Sequence, residues 1–181
     1  MPVQIGAKSH DFSDPTGLLF ECHRRIEMFL GSLQRVAAVI DAPLTDDTRN
    51  ALETALRYFR EAAPKHTKDE EESLFPRLRQ IHHPDVESAL STLNALEDDH
   101  RRADALHTEV HRLGAECLKK GHLPARQAGQ FRQAVDDLAS IYGQHIRVED
   151  SVIFPVAEQA LSSSQKSAIA NEMASRRELV S

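Results

Sequence analysis

Apolar residues recur every three to four positions along most of this chain, the spacing of one helix face. They fall first at Leu19, Ile26, Leu30, Leu33, Ala37 and Ile40. Asp14 followed by Pro15 pairs a cap residue with proline at the first helical position, which predicts a helix from about 14 to 40. DAPLTDD reads as a loop capping a second helix, which carries Leu52, Leu56, Phe59 and Ala63. Pro64 removes a hydrogen bond and predicts a bend, with helix running on to about Phe75 before Pro76 interrupts again. HHPD (82–85) leads to a third helix over roughly 86–119, marked by Leu90, Leu93, Leu96, Leu106, Val110 and Leu118 and ended by Gly121. A fourth opens near Pro124, carries Phe131, Val135, Leu138 and Ile141, and ends beyond Pro155. Ser162 and Gln165 have the spacing of a capping box and predict a short fifth helix over about 163–178. Its few apolar residues, Ile169 and Met173, place it on the surface. No alternating run reads as a strand. The expectation is all-α: an up-down-up-down four-helix bundle with a short additional C-terminal helix. It forms a single domain over 1–181, with the bundle core at about 14–160.

Composition narrows the function. The chain has 181 residues, 40% of them apolar and 28% charged. No apolar run approaches the roughly 18 residues a membrane span needs, and the N-terminus lacks the charged-then-apolar order of a signal peptide. A net charge of −6 argues against a nucleic-acid footprint, which is basic. Cys22 and Cys117 are too few for a disulfide scaffold and read as reduced thiols in a cytoplasm. Ten histidines stand against no tryptophan and two tyrosines, so the histidines carry the chemistry.

They sit in an internal repeat. His66-Thr-Lys-Asp-Glu70 leads to Leu74-Phe75-Pro76, and His145-Ile-Arg-Val-Glu149 leads to Ile153-Phe154-Pro155, 79 residues later. Each copy has a histidine on the preceding helix, His23 and His100, placed 43 and 45 residues upstream. H-x3-E alone is weak: chance supplies about one such pair in a chain of this composition, and there are four, with His23/Glu27 and His83/Glu87. The doubled Phe-Pro extension and the matched upstream histidines make the signal specific. Helical phase adds to it. His23 lies four after Leu19 and seven before Leu30, His66 and Glu70 extend the stripe through Phe59 and Ala63, His100 is seven after Leu93, and His145 is seven after Leu138. Four imidazoles and two carboxylates therefore point into the bundle. An unpaired buried polar group costs roughly 1–3 kcal/mol, so the set needs either a complete polar network or metal ions. Two metals bridged by the two carboxylates would satisfy all six and keep positions open. That donor mixture with open positions suits iron, or manganese, better than a closed structural zinc site.

This order of His, His-x3-Glu, His, His-x3-Glu with its Phe-Pro tails resembles the hemerythrin-like family, the HHE cation-binding domain. The resemblance implies a four-helix bundle holding an oxo- or hydroxo-bridged non-heme di-iron centre. Its ligands would be His23, His66, Glu70, His100, His145 and Glu149, with Glu70 and Glu149 as the bridges. Relatives bind O2, sense oxygen or iron, respond to nitric oxide, or help repair iron centres. In O2 carriers a second histidine follows the third-helix ligand by one turn. Here that residue is Asp104, which disfavours pure reversible O2 carriage and favours a more open site. The expected function is binding of O2, peroxide or nitric oxide for sensing, storage or modest redox chemistry. The alternative is a non-enzymatic, metal-dependent sensor that acts through a protein partner or a homodimer. A two-metal hydrolase ranks last, for want of a substrate-binding motif. Around the site, Asp69, Glu71 and Asp99 are candidates to hydrogen-bond the imidazoles, and Glu27 lies within reach. His107 is read as a partly buried histidine, His111 as lying on the solvent edge, Tyr142 as a core tyrosine with a satisfied hydroxyl, and Cys22 as no ligand. His10, His82, His83 and His122 are read as solvated.

Overall fold

A computed structural model describes residues 14–178 apart from His83; His10 lies outside the described residues. Helix α1 (Pro15–Ala37) opens where expected, the Asp14 carboxylate accepting from the Gly17 N–H at 2.9 Å. It stops short of Ile40 because the backbone tightens, Val39 N–H bonding the Val36 carbonyl three residues back. Thr45 caps α2 (Asp46–Glu61), which breaks before Pro64 and resumes as α3 (Ala63–Lys68). A π-helical turn (Asp69–Leu74) and α4 (Phe75–Leu78) complete that rod. The long α5 (Pro84–Lys120) ends at Gly121, whose φ of 86° is the left-handed conformation that glycine adopts without penalty. Then come α6 (Ala125–Val148), a second π-helical turn (Glu149–Ile153) and α7 (Phe154–Ala160). The C-terminal α8 (Ser163–Arg176) opens with the anticipated capping box of Ser162 and Gln165. Among the described residues there is no strand.

Each long rod packs against two neighbours, α1 on α2 and α6, and α5 on α2 and α6, which closes the up-down-up-down bundle. The apolar core is in two parts. One holds Ile26, Leu33, Phe59, Ala63, Ala103, Phe131 and Ile146. The other holds Leu19, Leu74, Phe75, Leu96, Ile153 and Phe154. On every rod the polar residues of the repeat fall between the two: His23 between Leu19 and Ile26, His66 and Glu70 between Ala63 and Leu74, His100 between Leu96 and Ala103, and His145 and Glu149 on either side of Ile146 and before Ile153. A polar layer thus interrupts the core at one level of the bundle.

Helix α8 is more than a surface addition. It buries Ile169, Ala170 and Met173, and its arginines fasten the first π-turn. Arg176 and Arg177 hold the fully buried Asp69 at 3.0 and 2.5 Å, Arg176 also reaches Glu72 at 3.2 Å, and Glu172 takes a forked pair from Arg77.

Candidate metal centre

The two π-turns follow from the repeat. Pro76 and Pro155 have no N–H, and their rings crowd the carbonyls four residues back. The helix widens by one residue in response: Phe75 N–H bonds the Glu70 carbonyl and Phe154 N–H the Glu149 carbonyl, each five residues back. His-x3-Glu and Phe-Pro thus form one device, which sets a carboxylate at the start of each widened turn.

The structure brings all six expected residues together. Glu70 and Glu149 are fully buried, as is His23. Every imidazole turns Nε2 toward the carboxylates: His66 lies 3.1 Å from Glu70, His100 3.3 Å from Glu70, His145 3.0 Å from Glu149, and His23 3.1 Å from Glu149 and 3.7 Å from Glu70. Two groups of four ligand atoms result, His23/His66/Glu70/Glu149 and Glu70/His100/His145/Glu149, the atoms of each within 4.8 Å of one another. Both groups share the two glutamates.

The fit to cations rests on atoms left without partners. All four carboxylate oxygens of Glu70 and Glu149, and Nε2 of His23, are buried with no hydrogen bond of acceptable geometry. Leaving them so would cost roughly 1–3 kcal/mol each. His100 and His145 bring their Nε2 atoms to 3.1 Å of each other. That distance suits a hydrogen bond when one ring carries its proton on Nε2, and it is also the spacing that imidazoles take on one cation when each bond is about 2.1 Å. The donor set, nitrogens and two doubly shared carboxylates, fits a pair of divalent or trivalent metal ions.

The outer nitrogens show a pseudo-two-fold exchange. His23 Nδ1–H donates to Asp150 at 2.6 Å, and His100 Nδ1–H donates to Glu71 at 2.7 Å. Asp150 and Glu71 each follow the glutamate of the opposite repeat copy. Likewise Phe154 stacks on His23 (5.1 Å, 19°) and Phe75 lies parallel to His100 (6.5 Å, 6°). Each copy therefore orients the first histidine of the other. These bonds place the proton on Nδ1 and turn the Nε2 lone pair inward.

The protonation pattern without metal follows from the same contacts. For His23, burial alone would lower the pKa, but the carboxylates of Asp150, Glu149 and Glu70 outweigh it and raise it to about 11. His100 likewise rises to about 9 against burial, through Glu70, Glu149 and Glu71. Burial wins at His66, which falls to about 4. The imidazoles overcome burial at Glu70 and Glu149 and hold both carboxyls below the usual range.

Of the surrounding candidates, Glu71 bonds an imidazole as expected, whereas Asp99 stands 3.7 Å from His145 Nδ1, beyond a hydrogen bond. Asp69 is taken by Arg176 and Arg177 instead, because α8 docks over it. Asp150 went unforeseen; the signal was an acid directly after the glutamate in both copies. Glu27 is exposed and pairs with Arg24. Tyr142 Oη and His107 Nε2 share a hydrogen bond at 2.9 Å, and His107 stacks on Phe59, so the two satisfy each other. His111 is half-buried rather than at the solvent edge, on the wall of a cleft it shares with Asp104 and His107. His82 and His122 are exposed. Asp104 is exposed and outside both ligand groups. It lines a cleft of about 270 Å³ that reaches His100, Glu71 and Tyr142.

Comparison with known proteins agrees with this geometry. The profile of a family described as hemerythrin HHE cation binding domain matches residues 14–165. An uncharacterised protein of Haemophilus influenzae is 24% identical over 169 residues, which cover 93% of this chain and 92% of the relative.

Proposed function

The chain belongs to the hemerythrin family of HHE cation-binding domains, and on that premise we propose that its metal site is a non-heme di-iron centre. Six residues would hold it: His23, His66 and the shared Glu70 and Glu149 around one ion, His100 and His145 with the same glutamates around the other. The observation that carries the proposal is the set of four orphaned, buried carboxylate oxygens facing four Nε2 atoms in one polar layer of the bundle. Six protein ligands for two ions leave open positions, and bound iron would supply affinity for O2, peroxide or nitric oxide there. This chain's residues do the rest. Asp150 and Glu71 fix the ring tautomers, the two apolar clusters keep bulk water away, and the cleft beside Asp104 admits a small molecule toward His100. Unpaired Cys22 and Cys117 suit a reducing compartment, the cytoplasm. Among the described residues no helix is long and apolar enough to cross a membrane.

Glu70→Ala and Glu149→Ala test the bridging assignment. Each variant should lose both metals, because each glutamate serves both ligand groups; a full metal complement in either would refute it.

One observation favours a second output. Helix α8 is fastened to the turn that carries Glu70 through Asp69, Glu72 and Arg77. Metal occupancy would then be felt at the C-terminal helix, as a sensor acting on a protein partner requires. Equal exchange protection of residues 163–176 with and without metal would exclude that reading.

A further inference from the structure

An arginine follows the upstream histidine of each repeat copy, Arg24 after His23 and Arg101 after His100. The two are equivalent by the pseudo-two-fold, yet they are used differently. Arg24 Nη2 donates to Asp150 Oδ2 at 2.5 Å, while Asp150 Oδ1 takes the His23 Nδ1–H at 2.6 Å. Both oxygens of Asp150 are therefore engaged, one by the imidazole and one by a guanidinium. Arg24 is fixed there from two sides: Glu27 pairs with its other arm at 3.0 Å, and its guanidinium lies over the Phe20 ring, 4.8 Å from the centroid. In the other copy Arg101 turns to Asp98, two residues before His100, although it borders the same cleft as Glu71. Glu71 holds the His100 Nδ1–H with no Lys or Arg in ion-pair contact among the described residues. One of the two carboxylates that orient an imidazole thus carries a counter-charge, and its counterpart does not.

We propose that Arg24 is a positioning residue for the metal centre: acting through Asp150, it draws charge away from His23 and makes the two metal positions electronically unequal. The inference rests on the metal-centre reading. A carboxylate on the outer nitrogen raises the basicity of a metal-bound imidazole. A cation on the second oxygen of that carboxylate takes part of the gain back by Coulomb attraction. A less basic ligand with a positive charge behind it disfavours the ferric state. The position held by His23 and His66 therefore stays ferrous longer, and the one held by His100 and His145, backed by the uncompensated Glu71, is oxidised first. The first electron passed to O2 or peroxide would then leave the half that the cleft beside Asp104 reaches.

The test is a redox titration of the iron-loaded full-length chain, with metal content measured on every sample. Arg24→Ala should raise the ferric-to-ferrous ratio at a fixed poise about tenfold, a fall of about 59 mV for one electron. That is the low end of the roughly 10- to 100-fold effects of groups behind a metal-bound histidine, as suits an arginine side chain that is 47% exposed and screened by water. Arg24→Lys keeps the charge and should stay near the parent. Arg101→Ala removes the equivalent charge where it touches no carboxylate that orients an imidazole, and should leave the potential unchanged. A second readout needs no metal: in NMR of the metal-free chain, Arg24→Ala should move the His23 Nδ1 proton downfield and leave that of His100 in place. An Arg24→Ala variant with its full iron and an unchanged potential would overturn the proposal, as would a His23 proton that does not move. So would an equal shift of potential from Arg101→Ala, which would assign the effect to net charge alone. Failure of the centre itself would show separately, as a parent protein that takes up no iron.

Discussion

Asp150 and Glu71 are equivalent by the pseudo-two-fold, but they are not equally placed, and the difference predicts an order of effects. Asp150 is 17% exposed and sits 2.6 Å from His23 Nδ1; Glu71 is 35% exposed and sits 2.7 Å from His100 Nδ1. Removing the partner of a metal-bound imidazole typically costs 10- to 100-fold in metal affinity, about 1.4–2.8 kcal/mol. Asp150→Ala belongs at the upper end, because the drier carboxylate is the harder for water to replace and His23 faces both glutamates. Asp150→Asn keeps an acceptor oxygen and loses only the charge, so it belongs near tenfold. Glu71→Ala should fall between the two, since water reaches His100 from the cleft. Asp99→Ala is the control: at 3.7 Å no hydrogen bond is lost, and the change should be under about threefold. The assay is iron retention against a graded chelator, with circular dichroism to confirm the fold. The reasoning fails if Asp99→Ala costs as much as Asp150→Ala, or if Asp150→Ala and the parent retain iron alike.

Further outcomes follow from the same contacts. Arg176→Ala/Arg177→Ala strands the buried Asp69 carboxylate, whereas Asp69→Ala leaves two arginines that can turn to water. Urea unfolding should therefore show the double arginine variant losing about 3–5 kcal/mol and Asp69→Ala distinctly less; the reverse order would contradict the clamp. In the metal-free protein, the raised pKa values of His23 and His100 contribute stability that is full below about pH 6.5 and lost as pH climbs toward 9 and then 11. Those two protons must leave when metal binds, so calorimetry in buffers of different ionisation enthalpy should detect proton release at neutral pH, and uptake should strengthen with pH; proton-neutral binding would contradict the assignment. Tyr142→Phe removes the hydroxyl that His107 Nε2 is hydrogen-bonded to and should cost about 1–2 kcal/mol while metal content stays unchanged. Loss of metal in that variant would give Tyr142 a place in the centre that its geometry does not show.

Much of this arrangement was legible in the chain. Periodicity gives the four rods, because each buries one stripe. The six polar residues are recoverable because they interrupt those stripes twice at matched spacing. What periodicity cannot show is the widened turn at Glu70 and Glu149. Proline reads there only as a break, and whether the helix ends or adds a residue depends on the packing of Phe75 and Phe154 against histidines of the other half. Asp69 reads from the sequence as one of a solvated run of acids and as a candidate partner for an imidazole; in the widened turn it is buried and faces the end of α8, where Arg176 and Arg177 claim it. Asp150 was missed for a related reason. Its partner His23 is 127 residues away, and nothing local to either residue announces the pair.

The most direct test of the account is the metal content and absorption spectrum of protein purified in air, then reduced and re-exposed to O2 or nitric oxide. The account predicts about two iron ions per chain, with near-ultraviolet bands that change when the gas is added. Zinc alone, or no metal after reconstitution with iron, would contradict it and leave the buried His and Glu layer to be explained in another way.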